Sequence, residues 1–288
     1  MERQKRPLNG IKSMSEERTL YLKEKRGLII RRDGPSLWII EKGRAGRRIP
    51  ARFINIVYII GNIKMDAGVV GLFAEQNTPV SFMNSKGETI GILMPYNHNP
   101  INYYEDQKRI LQNEDNIERF KGWAASIRRE SQLFVLKKVA FDKALIFMAD
   151  GFRESDYEEI VNTYRSSKKE EWEVVYQVNK NILMEMITRH LIDAHLDPHM
   201  GVLQRRQNFG LALDICYIIG PEIDLLTLQF FRSIRWHSLL QMTHKRRLLT
   251  KDGFKDIIHR FENNKVRFSQ RIDHIIDRFF ELLREIRI

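Results

Sequence analysis

The stretch "RRIPARFINIVYIIGNIKMDAGVVGLFAEQNTPVSFMNSKGETIGIL", residues 47–93, decides the fold of the first part of the chain. A β-branched run follows Pro50 and ends at Gly61, and two short apolar runs flank Ser85-Lys86-Gly87. Short β-rich runs bounded by turn residues are typical of strands. Between them, "MDAGVVGLFAEQN" has helical spacing, which predicts one short helix with Asp66 as its N-cap.

The preceding residues continue the same pattern. Residues 20–43, "LYLKEKRGLIIRRDGPSLWIIEKG", contain β-rich runs broken at Gly27 and at Asp33-Gly34-Pro35, which are hairpin and turn signals. We therefore predict a β-rich domain with one short helix over residues 1–95. Because a small sheet has two faces and exposed edges to cover, we expect this domain to mediate a homodimer.

The pattern changes from residue 103 onward, where apolar residues recur at helical intervals. The first of these residues are Ile110, Ile117, Phe120, Trp123, Ala124, Ile127 and Leu133. The last segment carries an apolar stripe that predicts a core face or a subunit contact rather than a ligand site. The stripe consists of Phe268, Ile272, Ile275, Ile276, Phe279 and Leu283. The prediction is an α+β protein, with a linker at 96–102 and an all-α domain at 103–288.

The composition narrows the class of protein. The 288 residues include 48 Lys and Arg against 37 Asp and Glu, a formal net charge of +11, which favours a polyanionic partner such as nucleic acid. Cys216 is the only cysteine, so an intrachain disulfide and a cysteine-based zinc site are excluded. No signal peptide and no run of about 18 apolar residues is present, so we expect a cytoplasmic protein that does not span a membrane.

One carboxylate stands out in "AHLDPHMGVLQRRQNFGLALDI", residues 194–215. Asp214 lies inside an otherwise apolar run, ten residues after Gln204. A buried or capping role would explain it, as an N-cap or as a partner of Arg205 or Arg206. The residues alone leave open whether this acid also has a chemical role.

The order of these motifs resembles one known family, the CRISPR-associated adaptation integrase, which is the first-numbered Cas protein. The stretch 47–93 is similar to the family's β-domain pattern, "AHLDPHMGVLQ" to its "GLDPxxGxLH", and "LALDI" to its "SLALDLxE". The tail "HKRRLLTKDGFKDIIHRFE" also resembles the family's last helices. The similarity extends over essentially the whole chain.

The resemblance implies a metal-dependent DNA integrase or endonuclease that joins captured DNA fragments into the CRISPR array. In the family, a Glu, a His and an Asp hold a divalent cation, Mg²⁺ or Mn²⁺, which stabilises the charge that develops on the phosphoryl oxygens. Asp214 matches the Asp, but Gln204 occupies the His position, and a glutamine amide cannot accept a proton. Asp150, which precedes Gly151, is the nearest match to the Glu.

The metal site therefore looks degenerate, and other residues remain open for it. Glu154 and Glu158 are further candidates for the missing carboxylate, whereas Tyr217 and Glu173 stand where the family has an acid and an Asn. In the plainer interpretation Asp150 is an exposed turn residue and Gln204 a surface glutamine. Three nearby histidines are expected to be surface residues, because Pro198 breaks the helix between the second and third. They are His190, His195 and His199.

The basic residues near Asp214 indicate DNA binding more clearly than the degenerate metal site does. Lys and Arg on helix surfaces contact phosphates without reading the base sequence. We predict DNA contacts from Arg205, Arg206, Arg232, Arg235, Lys245, Arg246 and Arg247. The expected partners are double-stranded or branched DNA, a second copy of the chain, and the small second adaptation protein of the CRISPR system. The alternatives are a catalytically inactive DNA-binding scaffold of the same machinery, or an unrelated basic RNA-binding regulator.

Overall fold

The computed structural model describes residues 18–85, 87–95, 101–165, 169–243 and 246–287. The strands are β1 (Arg18–Lys23), β2 (Ile29–Asp33), β3 (Ser36–Ile40), β4 (Arg47–Pro50), β5 (Ile54–Ile60), β6 (Lys64–Met65), β7 (Val80–Met83), β8 (Thr89–Leu93), β9 (Leu240–Thr243) and β10 (Arg246–Leu249). The helices are α1 (Ala67–Glu75), α2 (Tyr104–Gln112), α3 (Glu114–Val139), α4 (Phe141–Asp150), α5 (Glu154–Arg165), α6 (Lys169–Asp193), α7 (Gly210–Phe231), α8 (Trp236–Leu239) and α9 (Lys251–Arg287). The predicted α+β class, strands first and helices after, is confirmed.

The chain divides into two compact units. One comprises Met1–Ser85 with Thr89–Asn97, and the other comprises Lys86–Glu88 with His98–Ile288. Most of the predicted linker, residues 96–100, lies outside the described residues. No helix in the described part of the chain is both long enough and apolar enough to cross a membrane.

The first unit contains two four-stranded sheets. One has the order β1-β5-β7-β8, in which β5 runs parallel to both β1 and β7, and β8 pairs antiparallel with β7. The other has the order β4-β3-β2-β6, with antiparallel β2-β3 and β3-β4 pairs. Helix α1 begins after Asp66, which takes the predicted N-cap position although its side chain makes no capping hydrogen bond, and the helix buries Val69, Leu72 and Phe73 in the core of this unit.

Helix α7 is the centre of the second unit. Its sequence is apolar on all sides, which is the pattern of a helix surrounded by protein, and nearly every residue is buried. Helices α3, α6 and α9 pack against it. The predicted apolar stripe of α9, from Phe268 to Leu283, is buried and is therefore a core face.

Two features of this unit differ from a plain helical domain. A β-hairpin, β9-β10, interrupts the helices, with Leu240 opposite Leu249 and Met242 opposite Arg247. The prediction of an all-α domain missed it, because two four-residue strands are too short to show a period distinct from a helix. Helix α4 keeps an apolar face exposed, formed by Phe141, Leu145, Ile146 and Met148.

Candidate nucleic-acid interface

Asp214 anchors the loop that joins α6 to α7. The residue is fully buried, and its carboxylate accepts three consecutive backbone N–H groups. The distances to Oδ2 are 2.6 Å from Val202 N and 3.1 Å from Leu203 N, and Gln204 N lies 2.9 Å from Oδ1. Burial raises the pKa of Asp214 to about 6, and the three N–H groups oppose that rise.

Two glycines allow the loop to close on the start of α7. A Cβ on Gly201 would lie 2.3 Å from the carbonyl carbon of Gly210, so only a residue without a side chain fits there. A Cβ on Gly210 would lie 2.8 Å from the carbonyl oxygen of Gln204. The first N–H groups of α7, at Leu211 and Ala212, donate to the carbonyl of Pro198 at 3.0 and 3.2 Å.

Side chains brace the loop at both ends. Gln107 of α2 makes two hydrogen bonds to the backbone of Asp197, at 2.8 and 3.0 Å, and the Asp197 carboxylate accepts the N–H of His199. At the other end Phe209 has a φ of 59°, its N–H donates to His199 Nδ1, and the two rings are in contact, tilted by 35° with centroids 4.3 Å apart. This bracing holds the loop in one shape.

The braced loop presents a polar segment to solvent. The segment consists of Gln204, Arg205, Arg206, Gln207 and Asn208, all of them exposed, and we call it the QRRQN segment. Two guanidinium groups and three side-chain amides are the donors that proteins use toward phosphate and base edges. The segment therefore has the chemistry of a nucleic-acid contact.

The other predicted DNA-binding residues are placed differently from one another. Arg232 directly follows α7 and Arg235 precedes α8, and both are exposed. Arg247 is half-buried, and its Nε lies 3.2 Å from Glu171 Oε1, so its charge is partly neutralised. Lys245 lies outside the described residues, and Arg246 is the first residue of β10.

The residues around Asp214 do not fit a divalent metal ion. Its two oxygens already accept three backbone hydrogen bonds and have no exposed surface. Asp150 is exposed at the end of α4, where Gly151 takes a φ of 76°. Across the described ranges, no group of three or more His, Cys, Asp or Glu side chains is placed to hold a metal ion.

Glu154 and Glu158, the further candidates for the missing carboxylate, have partners of their own: Glu154 pairs with Arg128 of α3, and Glu158 lies 3.4 Å from Arg165. Glu173, at the position of the family's Asn, accepts a hydrogen bond from Gln177.

Of the three histidines, His190 joins α6 to α9. Its Nδ1 lies 2.6 Å from Asp273, and its Nε2 lies 3.2 Å from Ser269. His195 has a φ of 61°.

Sequence reasoning offered a buried role for Asp214 with Arg205 or Arg206 as its partner, whereas the structure pairs it with three backbone N–H groups. The bracing role of Gln107 was missed. The run of apolar residues around Asp214 was the available signal for burial.

Comparisons with known proteins agree with this fold. Residues 20–142 match the model of the family described as CRISPR associated protein Cas1. A search of curated protein sequences found no match. The Cas1 protein TM1797 from Thermotoga maritima has a similar structure, with 15% identity, a TM-score of 0.74, and coverage of 93% of this chain and 96% of that one.

Two further structures are similar to the chain. One is a casposase bound to an integration product, with 15% identity, a TM-score of 0.62, and coverage of 85% of this chain and 82% of that one. The other is a Cas6-RT-Cas1–Cas2 complex, with 14% identity, a TM-score of 0.66, and coverage of 94% of this chain and 35% of that one. The resemblance to the Cas1 family found in the sequence is therefore confirmed, by the family model over residues 20–142 and by a similar fold over nearly the whole chain.

Proposed function

We propose that this chain acts in CRISPR spacer acquisition as an integrase-type protein, which binds DNA and joins fragments into the CRISPR array. The match to the Cas1 family model supports the proposal, as does the similarity to a casposase whose structure contains an integration product. Family and fold do not favour an RNA-binding regulator. The single observation that carries DNA binding is the exposed QRRQN segment, held rigidly by Asp214.

Binding through this segment should be governed by charge. The chain carries 48 Lys and Arg against 37 Asp and Glu, and Arg205 and Arg206 are exposed side by side. Cations that neutralise phosphates release condensed counterions, so affinity should fall steeply as salt rises and vary little with DNA sequence. Double-stranded or branched DNA is the partner we propose, in the cytoplasm, with the small second adaptation protein as a further partner.

The experiment that tests the proposal is strand transfer on a branched DNA substrate, with Mg²⁺ or Mn²⁺, with binding measured on the same DNA in parallel. Binding is expected from the QRRQN segment, and joined product is the result that integrase activity requires. Binding without product would leave a DNA-binding scaffold of the adaptation machinery, a role that the buried, fully hydrogen-bonded Asp214 also fits. Absence of both binding and product would contradict the proposal.

Two variants separate the contributions within the site. Gln204→His restores the imidazole of the family pattern, which can accept a proton, so it should increase strand transfer if an ion binds near this loop. Asp214→Ala should release the loop and reduce binding and transfer together. Loss of transfer with unchanged binding and stability in Asp214→Ala would instead indicate that Asp214 takes part in the chemistry.

A further inference from the structure

A socket for one arginine is built into helix α7. The helix contains Pro221, which has no N–H, so the carbonyl of Tyr217 four residues earlier loses its intrahelical donor. Arg128 of α3 donates from Nη1 to that carbonyl. A Cβ on Gly220 would lie 3.1 Å from Arg128 Nη1, so the glycine leaves the space that the guanidinium occupies.

The rest of the guanidinium faces a carboxylate. Arg128 Nη2 lies 2.6 Å from Glu154 Oε1, and its Nε lies 3.0 and 3.2 Å from the two carboxylate oxygens. Gln132 of α3 donates to Glu154 Oε2 at 2.6 Å, and the Tyr217 ring lies 4.1 Å from the guanidinium carbon. One cation thus connects α3, α5 and α7.

The surroundings fix the charge of both partners. Arg128 is 8% exposed, and burial alone would lower its pKa, but the hydrogen bonds and charge of Glu154 outweigh burial and hold it above its usual value. Burial alone would likewise raise the pKa of Glu154, but Arg128 outweighs it and the pKa is lowered. Both groups are therefore ionised at neutral pH.

The oxygen atoms around the guanidinium are of the kind that hard divalent cations bind, a carboxylate and a main-chain carbonyl. Arginine satisfies them with the fixed fork of its N–H donors. We propose that Arg128 is a built-in cation for Glu154, which holds α3, α5 and α7 together without a bound metal ion. Glu154 is then removed from the carboxylates that could complete a metal site, and this holds whether or not the chain joins DNA.

Thermal unfolding of the full chain, with and without Mn²⁺ and with a chelator, tests this inference. The wild-type Tm should not respond to either addition. Arg128→Ala leaves a carboxylate and a carbonyl without their cation, so its Tm should fall by roughly 10 °C. Mn²⁺ or methylguanidinium should restore part of that loss. The matched control is Arg129→Ala, the next and exposed residue of α3, whose Tm should stay near that of wild type.

A double variant tests whether Glu154 binds the added Mn²⁺. A single variant at Glu154 tests the pair without removing the buried Arg128 side chain. In Arg128→Ala combined with Glu154→Gln, Mn²⁺ should no longer restore the Tm, because the carboxylate is absent. Glu154→Gln alone changes a side chain that is 47% exposed, so it should fold, with a Tm below that of wild type and no response to Mn²⁺. A wild-type Tm raised by Mn²⁺ through Glu154 would overturn the inference. So would a Tm of Arg128→Ala equal to that of Arg129→Ala, or a Tm of Glu154→Gln equal to that of wild type.

Discussion

The carboxylate of Asp214 takes the place of the water that three neighbouring backbone N–H groups would otherwise bind. Hydrogen bonds to a charged acceptor contribute more than neutral ones, and a buried donor left without a partner costs more again. Because all three donors are consecutive in the loop, the side chain determines the shape of the loop as well as its stability. This combination explains an acid in an apolar run without invoking catalysis.

Asp214→Ala should lower the free energy of unfolding by about 3 kcal/mol, since three backbone N–H groups lose their acceptor. Asp214→Asn keeps only one acceptor oxygen and should lie between alanine and wild type. Denaturant unfolding measures both changes. Asp150→Ala is the matched control, because Asp150 is exposed, and its effect should stay within about 0.5 kcal/mol. An equal effect at both positions would contradict the anchoring role.

Asp224 makes stability depend on pH. Burial raises its pKa to about 7, against the opposing effects of the Tyr157 hydroxyl at 3.0 Å and of Arg165, while Glu158 adds to the rise and Arg128 opposes it. The folded state thus binds this proton more tightly than the unfolded state. Its stabilising contribution is full below about pH 4 and is lost as pH rises toward 7.

Asp224→Asn should remove that component, since asparagine does not titrate and can still accept the Tyr157 hydrogen bond. The difference in unfolding free energy between wild type and Asp224→Asn should change between about pH 4 and pH 7 and be constant above that range. Denaturant unfolding across this range is the measurement. A constant difference throughout the window would show that Asp224 does not titrate there.

At the scale of the element, the loop between α6 and α7 combines a braced base with exposed positive charge. Its base is fixed by Asp214, Gln107 and the Gly201–Gly210 contact, while Arg205 and Arg206 are exposed, with Arg205 Nη2 3.4 Å from the carbonyl oxygen of Leu111. A fixed backbone keeps the two arginines in place, and their long side chains can adjust to nearby phosphates. Such a loop can bind a ligand whose phosphates repeat at a regular spacing.

Reversing both charges, Arg205→Glu with Arg206→Glu, should weaken binding to every duplex by a similar factor and reduce the slope of log affinity against log salt by about 2. The matched control is Arg119→Glu with Lys121→Glu, two exposed residues of α3, which changes the net charge equally. Fluorescence anisotropy over a salt series measures both. Equal loss in the two double variants would mean that overall charge, rather than this loop, governs binding.

The elements also show how far the sequence could be interpreted. The strands and α1 were predictable because their period and turn residues are local, as at Gly61 and Asp66. The partners of Asp214 could not be predicted, because they are backbone N–H groups whose positions depend on the fold of the loop. The Arg128 socket was equally hidden, because it joins residues 26 and 89 positions apart along the chain.

At the scale of the whole molecule, the first unit leaves strands at the edges of both sheets. In the described residues, β1 and β8 end one sheet, and β4 and β6 end the other. Strands at the edges of sheets can associate with another chain, so the proposed homodimer through the β-rich domain is the assembly to test.

Sedimentation at micromolar concentration should give the mass of a dimer, twice the 34.3 kDa of the chain. The same measurement on a fragment that begins at residue 103 should give a monomer if the β-rich domain holds the contact. A monomeric full chain would contradict the homodimer, and a dimeric fragment would move the contact to the helices.

The long helix α9 also determines when the second unit can finish folding. It packs against α2, α3, α6 and α7, and Arg287 pairs with Asp106, 181 residues earlier. At a synthesis rate of about 5–20 residues per second, the ribosome needs roughly 9–36 s to make the intervening chain. Throughout that interval the nascent helices expose the apolar surface that α9 will cover. A chaperone that binds such surfaces should therefore associate with this chain during translation and leave once α9 emerges.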